Sequence, residues 1–208
     1  GVIHRAVWRE GSTARDVAVK VFKGAMTSDG LPHSEMVAWL AAGTHAGLIG
    51  ALGRVEGHPD NAEALVMPLV AASFTVLAGP PSMQSCTRDV YDAGLRLAPE
   101  ASLRLASDVA GAAAQLHAHG ILHGDLYAHN ILHNQRGDAF LGDFGAATFC
   151  APDQGHDNPF ESLDVRAFGC LLEELVERIQ PQGHSASIQD KLAALRDGQL
   201  DKIDQLLL

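Results

Sequence analysis

The sequence His123-Gly124-Asp125-Leu126-Tyr127-Ala128-His129-Asn130-Ile131-Leu132 follows directly after a long helical pattern. An aspartate five residues before an asparagine, in a loop that ends in an apolar pair, can direct a carboxylate and an amide into one cleft. Beyond this loop stands Asp143-Phe144-Gly145, at the end of another apolar segment. The intervening Gln135-Arg136-Gly137-Asp138 predicts a hairpin turn, which would return Asp143 to the side of Asn130.

The chemistry of this segment indicates a site for a hard divalent cation. Asp125, Asn130 and Asp143 supply carboxylate and amide oxygens, which suit Mg²⁺ better than zinc. A zinc site is the alternative, because five histidines lie in the same stretch, but no pair of them shows the His-Glu-x-x-His spacing of zinc proteases. These histidines are His117, His119, His123, His129 and His133.

The first third of the chain predicts strands and one helix. Residues 2–8 and 16–22 are strand-like, and shorter apolar segments cover residues 48–55 and 64–70. The helix is expected from Pro32 to Ala42, since proline suits a first turn and the apolar residues recur at helical spacing. Later helices are predicted from Pro99 to Gly120, from Asp164 to Ile179 and in the tail, residues 187–208.

Taken with Val17-Ala18-Val19-Lys20 on an early strand, these motifs resemble the protein kinase family in their order along the chain. The resemblance extends from Gly1 to about Val176 and implies a two-lobed α+β fold. A small antiparallel sheet with one helix would form the N-terminal lobe, residues 1–70. A mainly helical lobe, residues 71–208, would carry the catalytic loop and the metal site, so that the whole chain is one kinase domain.

The same resemblance assigns roles to the charged residues. Lys20 matches the strand lysine that grips the α- and β-phosphates of ATP, and Glu35 matches its ion-pair partner on the helix. Asp125 matches the catalytic-loop aspartate that accepts the proton of the substrate hydroxyl. Asn130 and Asp143 match the two positions that hold Mg²⁺. The cofactors expected from the resemblance are therefore ATP and Mg²⁺.

An adenine pocket is also implied by the resemblance. Ile3 and Ala18 would lie above the purine ring and Leu132 below it, with Gly1 in the position of the last glycine of the Gly-rich loop. The backbone of residues 68–70, which includes Leu69 and Val70, would read the edge of the ring, and Met67 would stand at the back. Trp39 and Phe144 match the stacked apolar residues that join the lobes.

Several positions depart from the family pattern. Gly124 stands where an arginine is usual, which removes the cation that pairs with a phosphate on the activation segment. That segment, residues 145–164, is short, and Ala151-Pro152-Asp153 only partly matches the family's Ala-Pro-Glu. Tyr127 and His129 occupy positions where protein kinases place a lysine or an arginine that steadies the transferred phosphate. Asp164 matches the start of the helix that anchors the catalytic loop, although by local sequence it reads as a helix N-cap.

Two other functions remain open beside transfer to a protein hydroxyl, for which serine or threonine is favoured over tyrosine. A small-molecule kinase of the aminoglycoside or choline type is one, because such enzymes commonly carry His-Gly-Asp, as at residues 123–125. A pseudokinase that binds only nucleotide or a partner is the other, since the C-terminal lobe is reduced. The complete set of Lys20, Asp125, Asn130 and Asp143 argues against a pseudokinase.

Composition restricts the partners. The formal net charge of −10 argues against a nucleic-acid binder, which needs a basic face. No apolar run is long enough to span a bilayer, and no signal peptide opens the chain. Three widely spaced cysteines predict reduced thiols in a cytoplasmic protein. Because the chain begins with Gly1, we expect it to be part of a longer protein that carries a sensor or repeat region.

Overall fold

The computed structural model describes residues 1–22, 31–60, 62–84, 88–150 and 160–180, together with residues 193, 194 and 196. The fold begins with a long hairpin of strand β1 (Val2–Glu10) and strand β2 (Thr13–Val21), paired antiparallel along their whole length. The turn between them contains Gly11, which adopts a φ of +58°. Only the second half of β2 is buried, which agrees with its apolar sequence.

Helix α1 (Pro32–Ala41) follows, and then strands β3 (Gly53–Arg54) and β4 (Ala64–Pro68). The sheet has the order β1-β2-β4-β3, and every neighbouring pair is antiparallel. The strand predicted over residues 48–55 is shorter than expected. Its first residue, Leu48, is buried and forms a bridge to Leu141, so this part of the segment packs against the later half of the chain instead of joining the sheet.

The later half is built around helix α2 (Pro99–Ala118), which follows strand β5 (Thr75–Val76). Proline occupies the start of the helix, where its missing N–H costs nothing, and Gly120 follows the end with a φ of +66°. Small and aliphatic side chains at helical spacing bury one face completely, among them Leu105, Val109 and Leu116.

Short strands and a last helix complete the described part of the chain. Strand β6 (Ile121–Leu122) precedes a single 3-10 turn (Ala128–Asn130), and strands β7 (Ile131–His133) and β8 (Ala139–Leu141) form the predicted hairpin. Strand β9 (Thr148–Phe149) pairs with β6, and β5 pairs with β7. Helix α3 (Glu161–Val176) packs against α2.

Helix α3 does not begin where the sequence predicts. It begins at Glu161 and ends at Val176, so its N-cap is Phe160 and Asp164 lies inside the first turn. Asp164 is therefore not the N-cap that its local sequence suggests. Its carboxylate is directed instead to the catalytic loop, a tertiary interaction that capping rules do not consider.

One continuous core joins the two halves of the chain, from Ala18 and Leu65 in the sheet to Leu171 and Leu175 on α3. An antiparallel sheet with one helix, followed by long helices, confirms the predicted α+β kinase-like fold class. Over the residues that the structure describes, no helix is both long and apolar enough to cross a membrane. The predicted tail helix lies largely outside the described residues, and so does the Ala151-Pro152-Asp153 motif.

Candidate active site

Three charged side chains from distant parts of the chain meet at one point. Lys20 on β2 contacts Glu35 on α1 through a short hydrogen bond from Nζ to Oε1, which is the ion pair expected from the sequence. The same Nζ lies 3.1 Å from Oδ1 of Asp143. Lys20 and Glu35 are both buried, whereas the Asp143 side chain is half exposed. This arrangement holds an ammonium group beside a carboxylate that faces the cleft.

The electrostatics of this cluster favour the charged forms of two of its members. Burial alone would lower the pKa of Lys20, but the neighbouring Asp143 and Glu35 raise the pKa above its ordinary value. Burial would likewise raise the pKa of Asp143, but Lys20 and the backbone N–H of Gly145 lower it below its ordinary value. At neutral pH the cleft therefore contains both a cation and an anion.

The catalytic loop presents Asp125 beside Asn130. The amide Nδ2 of Asn130 donates to Oδ2 of Asp125 at 2.8 Å and to its backbone carbonyl at 2.9 Å. Because Nδ2 donates in this way, the amide oxygen is the atom of the Asn130 side chain that could bind a cation. The hairpin thus returns Asp143 to the cleft that Asn130 lines, as predicted, and Asp125 is bonded to Asn130.

Asp164 fixes the start of this loop from helix α3. Its carboxylate accepts the backbone N–H groups of His123 at 2.8 Å and Gly124 at 3.0 Å. Nε2 of His117 lies 3.0 Å from the same carboxylate. Burial would raise the pKa of Asp164, but these three hydrogen bonds lower it below its ordinary value. The group is therefore a buried, ionised anchor for the loop.

A stack of rings joins the two halves of the fold behind the site. Trp39 on α1 meets Phe144 edge to face with ring centroids 4.7 Å apart, and Phe144 lies 5.5 Å from His123. The three side chains are buried. Burial lowers the pKa of His123 below its ordinary value, while its Nε2 contacts the carbonyl of Gly142 at 2.9 Å. The contact between Trp39 and Phe144 agrees with the stacked pair expected from the sequence.

A cavity of about 210 Å³ opens between the sheet and the catalytic loop. Six predicted residues line it: Ile3, Lys20, Met67, Asn130, Leu132 and Asp143. Trp39, Ile49, His129 and Gly142 line it as well. The other predicted residues, Gly1, Ala18, Glu35, Leu69, Val70 and Asp125, are not among the lining residues. Ala18 pairs with Met67 in the sheet, Glu35 contacts Lys20, and Asp125 is bonded to Asn130. A more open groove adjoins the cavity and shares His129, Asn130 and Asp143 with it.

The most important residue that the sequence did not indicate is Asp89. Its buried carboxylate accepts the backbone N–H of Ala128 at 2.9 Å and contacts Nδ1 of His129 at 2.6 Å. Asp89 lies between an irregular connection and a turn, without periodicity or motif, so that no sequence signal connects it with the loop. The five histidines have separate partners or positions, and the described residues contain no group of three or more His, Cys, Asp or Glu arranged to hold a metal.

Comparison with known proteins identifies the class. The family model described as protein tyrosine and serine/threonine kinase matches residues 1–162, which is most of the chain. The chain therefore belongs to the protein kinase family, as its motifs and its fold indicate.

Individual relatives agree with this assignment. The chain is 33% identical over 108 residues to CBL-interacting protein kinase 22 of Oryza sativa subsp. japonica, with 51% of this chain and 24% of the relative covered. It is 32% identical over 106 residues to the serine/threonine-protein kinase PkaB of Streptomyces coelicolor, with 46% and 24% covered. The serine/threonine/tyrosine-protein kinase HT1 of Arabidopsis thaliana is 31% identical over 102 residues, with 41% and 26% covered. The matches span about a quarter of the length of these relatives.

Proposed function

We propose that this chain is an ATP-dependent protein kinase that transfers the γ-phosphate to a protein hydroxyl, with serine or threonine favoured over tyrosine. One observation carries the proposal: the ion pair of Lys20 and Glu35 contacts Asp143 in the cleft that also holds Asn130, with Asp125 beside it. Positively and negatively charged groups in these places suit the binding of phosphates together with a metal. The name of the relative from Streptomyces coelicolor, a serine/threonine-protein kinase, supports the preference for serine and threonine.

The donor set fits Mg²⁺. Asp143 offers carboxylate oxygens with a half-exposed side chain, and Asn130 offers an amide oxygen because its Nδ2 is bonded to Asp125. Oxygen ligands from one or two side chains, completed by phosphates and water, are what Mg²⁺ takes in nucleotide-dependent enzymes. When bound there, Mg²⁺ would neutralise charge on the transferred phosphate.

Within this proposal each side chain has one task. Lys20, held in place by Glu35, binds phosphate oxygens with its ammonium group. Asp125 accepts the proton of the acceptor hydroxyl as that oxygen attacks phosphorus, and Asn130 keeps the Asp125 carboxylate in place from one side. Ile3, Met67 and Leu132 supply apolar lining for the adenine ring. We further assign Gly1, Ala18 and the backbone of Leu69 and Val70 to the same nucleotide pocket.

We also propose a division of the chain into two lobes, and a cellular setting for the protein. Residues 1–70 would form the nucleotide-binding lobe, and residues 71–208 the lobe that presents the catalytic loop to a protein substrate. We place the protein in the cytoplasm, as part of a longer chain with a sensor or repeat region. The acidic composition suits a protein substrate better than a nucleic acid.

The test is transfer of labelled γ-phosphate from ATP to the chain itself and to casein, with Mg²⁺ present. We expect the Asp125→Asn variant to lose at least about 100-fold in kcat, because the amide cannot accept the hydroxyl proton. Asp16→Asn, which changes an exposed aspartate on β2, is the matched control and should keep full activity. Acid hydrolysis of the product separates phosphoserine and phosphothreonine from phosphotyrosine.

Two results would contradict the proposal. Labelling of aminoglycosides or choline, with none of either protein, would indicate a small-molecule kinase. Nucleotide binding without transfer to any acceptor would indicate a pseudokinase.

A further inference from the structure

The buried carboxylate of Asp89 determines the orientation of the His129 ring. Its side chain is 0% exposed, and its Oδ1 lies 2.6 Å from Nδ1 of His129 and 3.3 Å from the backbone nitrogen of the same residue. Its Oδ2 accepts the N–H of Ala128. Because a carboxylate accepts hydrogen bonds and does not donate them, the ring hydrogen in this contact lies on Nδ1. Asp89 thus fixes both the rotation of the imidazole and the direction of Nε2.

That second nitrogen faces the catalytic aspartate. Nε2 of His129 lies 3.6 Å from Oδ2 of Asp125, the same oxygen that accepts the amide of Asn130 at 2.8 Å. Both ring nitrogens thus face carboxylates, so a hydrogen bond from Nε2 to Oδ2 requires a hydrogen on Nε2 as well as on Nδ1. Catalytic contacts of this kind commonly shorten once substrate is bound. Both neighbours lie against Oδ2, so among the described residues Oδ1 is the oxygen left for an acceptor hydroxyl.

Tyr127 has different neighbours from His129. The guanidinium of Arg88 lies 4.2 Å from the centre of the Tyr127 ring, and Arg88 is itself bonded to Glu174 on α3. The Tyr127 ring is therefore packed against a cation, whereas His129 lines both the cavity and the adjoining groove. Of Tyr127 and His129, only His129 is among the residues that line the cavity and the groove.

We propose that Asp89 and His129 form a positioning pair for Asp125, an inference that rests on the proposed kinase function. Asn130 and His129 hold Oδ2 of Asp125 from different directions, and Asp89 keeps His129 in the required rotamer. The carboxylate is then limited to the orientation in which Oδ1 faces the acceptor hydroxyl. His129 acts through Asp125 and need not touch the nucleotide for this purpose.

The main experiment is removal of the ring and its chemical replacement in the 208-residue chain. We expect His129→Ala to lower kcat by about 10- to 100-fold, because small misplacements of a reacting group cost that much. The KM for ATP should change by less than about threefold, because the nucleotide-binding residues stay in place. Added imidazole should restore part of kcat by occupying the vacated space, with one nitrogen toward Asp89 and the other toward Asp125.

Two controls separate positioning from simple filling of space. 1-Methylimidazole has a similar ring, but its methylated nitrogen cannot donate, so it cannot bond to both Asp89 and Asp125, and we expect it not to restore activity. His119→Ala removes an exposed histidine that binds the carbonyl of Gln115 at the end of α2, and neither its kcat nor its response to imidazole should differ from the parent chain. Equal rescue by both imidazoles would overturn the inference.

A double-variant cycle tests whether Asp89 acts through His129. Asp89→Asn retains the size of the side chain and one acceptor oxygen for the backbone, and circular dichroism of the variant checks that it keeps its fold. As a single change, Asp89→Asn should lower kcat. Added to His129→Ala, it should lower kcat by less than about a further threefold, because the effects of residues that act as a unit are not additive. Full additivity of the two losses would contradict the pair.

A readout without catalysis separates this inference from the proposed function. Nitrogen-15 NMR of the histidine side chains should show hydrogen on Nδ1 of His129, with a change of that resonance in Asp89→Asn. Hydrogen on Nε2 alone would overturn the pairing, whether or not the chain transfers phosphate. If the parent chain shows the expected resonance but transfers no phosphate, that result contradicts the proposed function and still supports the Asp89–His129 contact.

Discussion

Lys20 and Asp143 touch each other, yet the proposed mechanism gives their charges different tasks. Lys20→Met withdraws the ammonium that binds phosphate, and Asp143→Asn weakens the hold on Mg²⁺. We expect each change to lower kcat by at least about 100-fold. Raising Mg²⁺ should partly restore the Asp143 variant, because mass action refills a weakened site, and should leave the Lys20 variant inactive. A titration of initial rate against Mg²⁺ measures both, and equal rescue would mean that the roles are misassigned.

Gly124 is required by the backbone at its position. Its φ is +74°, and a Cβ added there would lie 2.7 Å from the carbonyl oxygen of Ala146. We expect Gly124→Ala to lower the free energy of unfolding by about 1–3 kcal/mol through strain, with the collision adding to it. Gly11→Ala is the control, since Gly11 has a φ of +58° with nothing within 4 Å of its added Cβ.

Urea unfolding of both variants separates the two contributions. A larger loss at Gly124 than at Gly11 isolates the collision with Ala146, whereas equal losses would show that strain alone matters. The same geometry explains why this position carries no arginine. A side chain cannot be added at residue 124 unless the segment that contains Ala146 moves.

Among the elements, helix α3 holds the start of the catalytic loop through Asp164, a residue in its first turn. Asp164 is buried and accepts hydrogen bonds from two backbone N–H groups and from His117. Asp164→Asn leaves one of these donors facing an amide NH₂, which should cost about 1–3 kcal/mol of unfolding free energy. The matched control, Asp16→Asn, removes an exposed pair with Arg5 and should cost less than about 1 kcal/mol.

The lowered pKa of Asp164 gives this prediction a dependence on pH. A carboxyl group whose pKa is lower in the folded state binds more protons when unfolded, so its contribution is complete above the ordinary value of 3.8 and is lost as pH falls below it. In urea unfolding measured between pH 6 and pH 3, the parent chain should therefore lose more stability than Asp164→Asn. Parallel curves for the two proteins would argue against an ionised anchor.

The elements also show which features could be predicted from sequence. The hairpin that returns Asp143 to Asn130 follows from turn chemistry, and helix α2 follows from apolar spacing, because both are local rules. Helix α3 begins three residues before Asp164, the residue at which the sequence predicts its start, because Asp164 resembles a helix cap but serves a tertiary contact. Asp89 was missed for a related reason: its partners lie about 40 residues further along the chain, and nothing in the intervening sequence records their contact.

At the scale of the whole molecule, the sheet and the helical part share one core through the Trp39–Phe144 contact. The chain has two tryptophans, and they are a matched pair for an experiment. Trp39 is buried between the halves, whereas Trp8 lies on the β1–β2 hairpin with the guanidinium of Arg15 4.4 Å from its ring centre. Trp39→Ala should lower the free energy of unfolding by about 3–5 kcal/mol, as large cavities in well-packed cores do.

Trp8 is only partly buried, and a cation over such a ring contributes about 0.5–1 kcal/mol, so Trp8→Ala should cost much less than Trp39→Ala. Urea unfolding followed by circular dichroism measures both variants without relying on tryptophan emission. Since α1 carries both Trp39 and Glu35, the Trp39 variant should also transfer phosphate more slowly under conditions where it remains folded. Unfolding of Trp39→Ala in two separate steps would mean that the halves are independent domains, whereas one weakened cooperative transition would show that the ring stack joins nucleotide site and catalytic loop in a single unit.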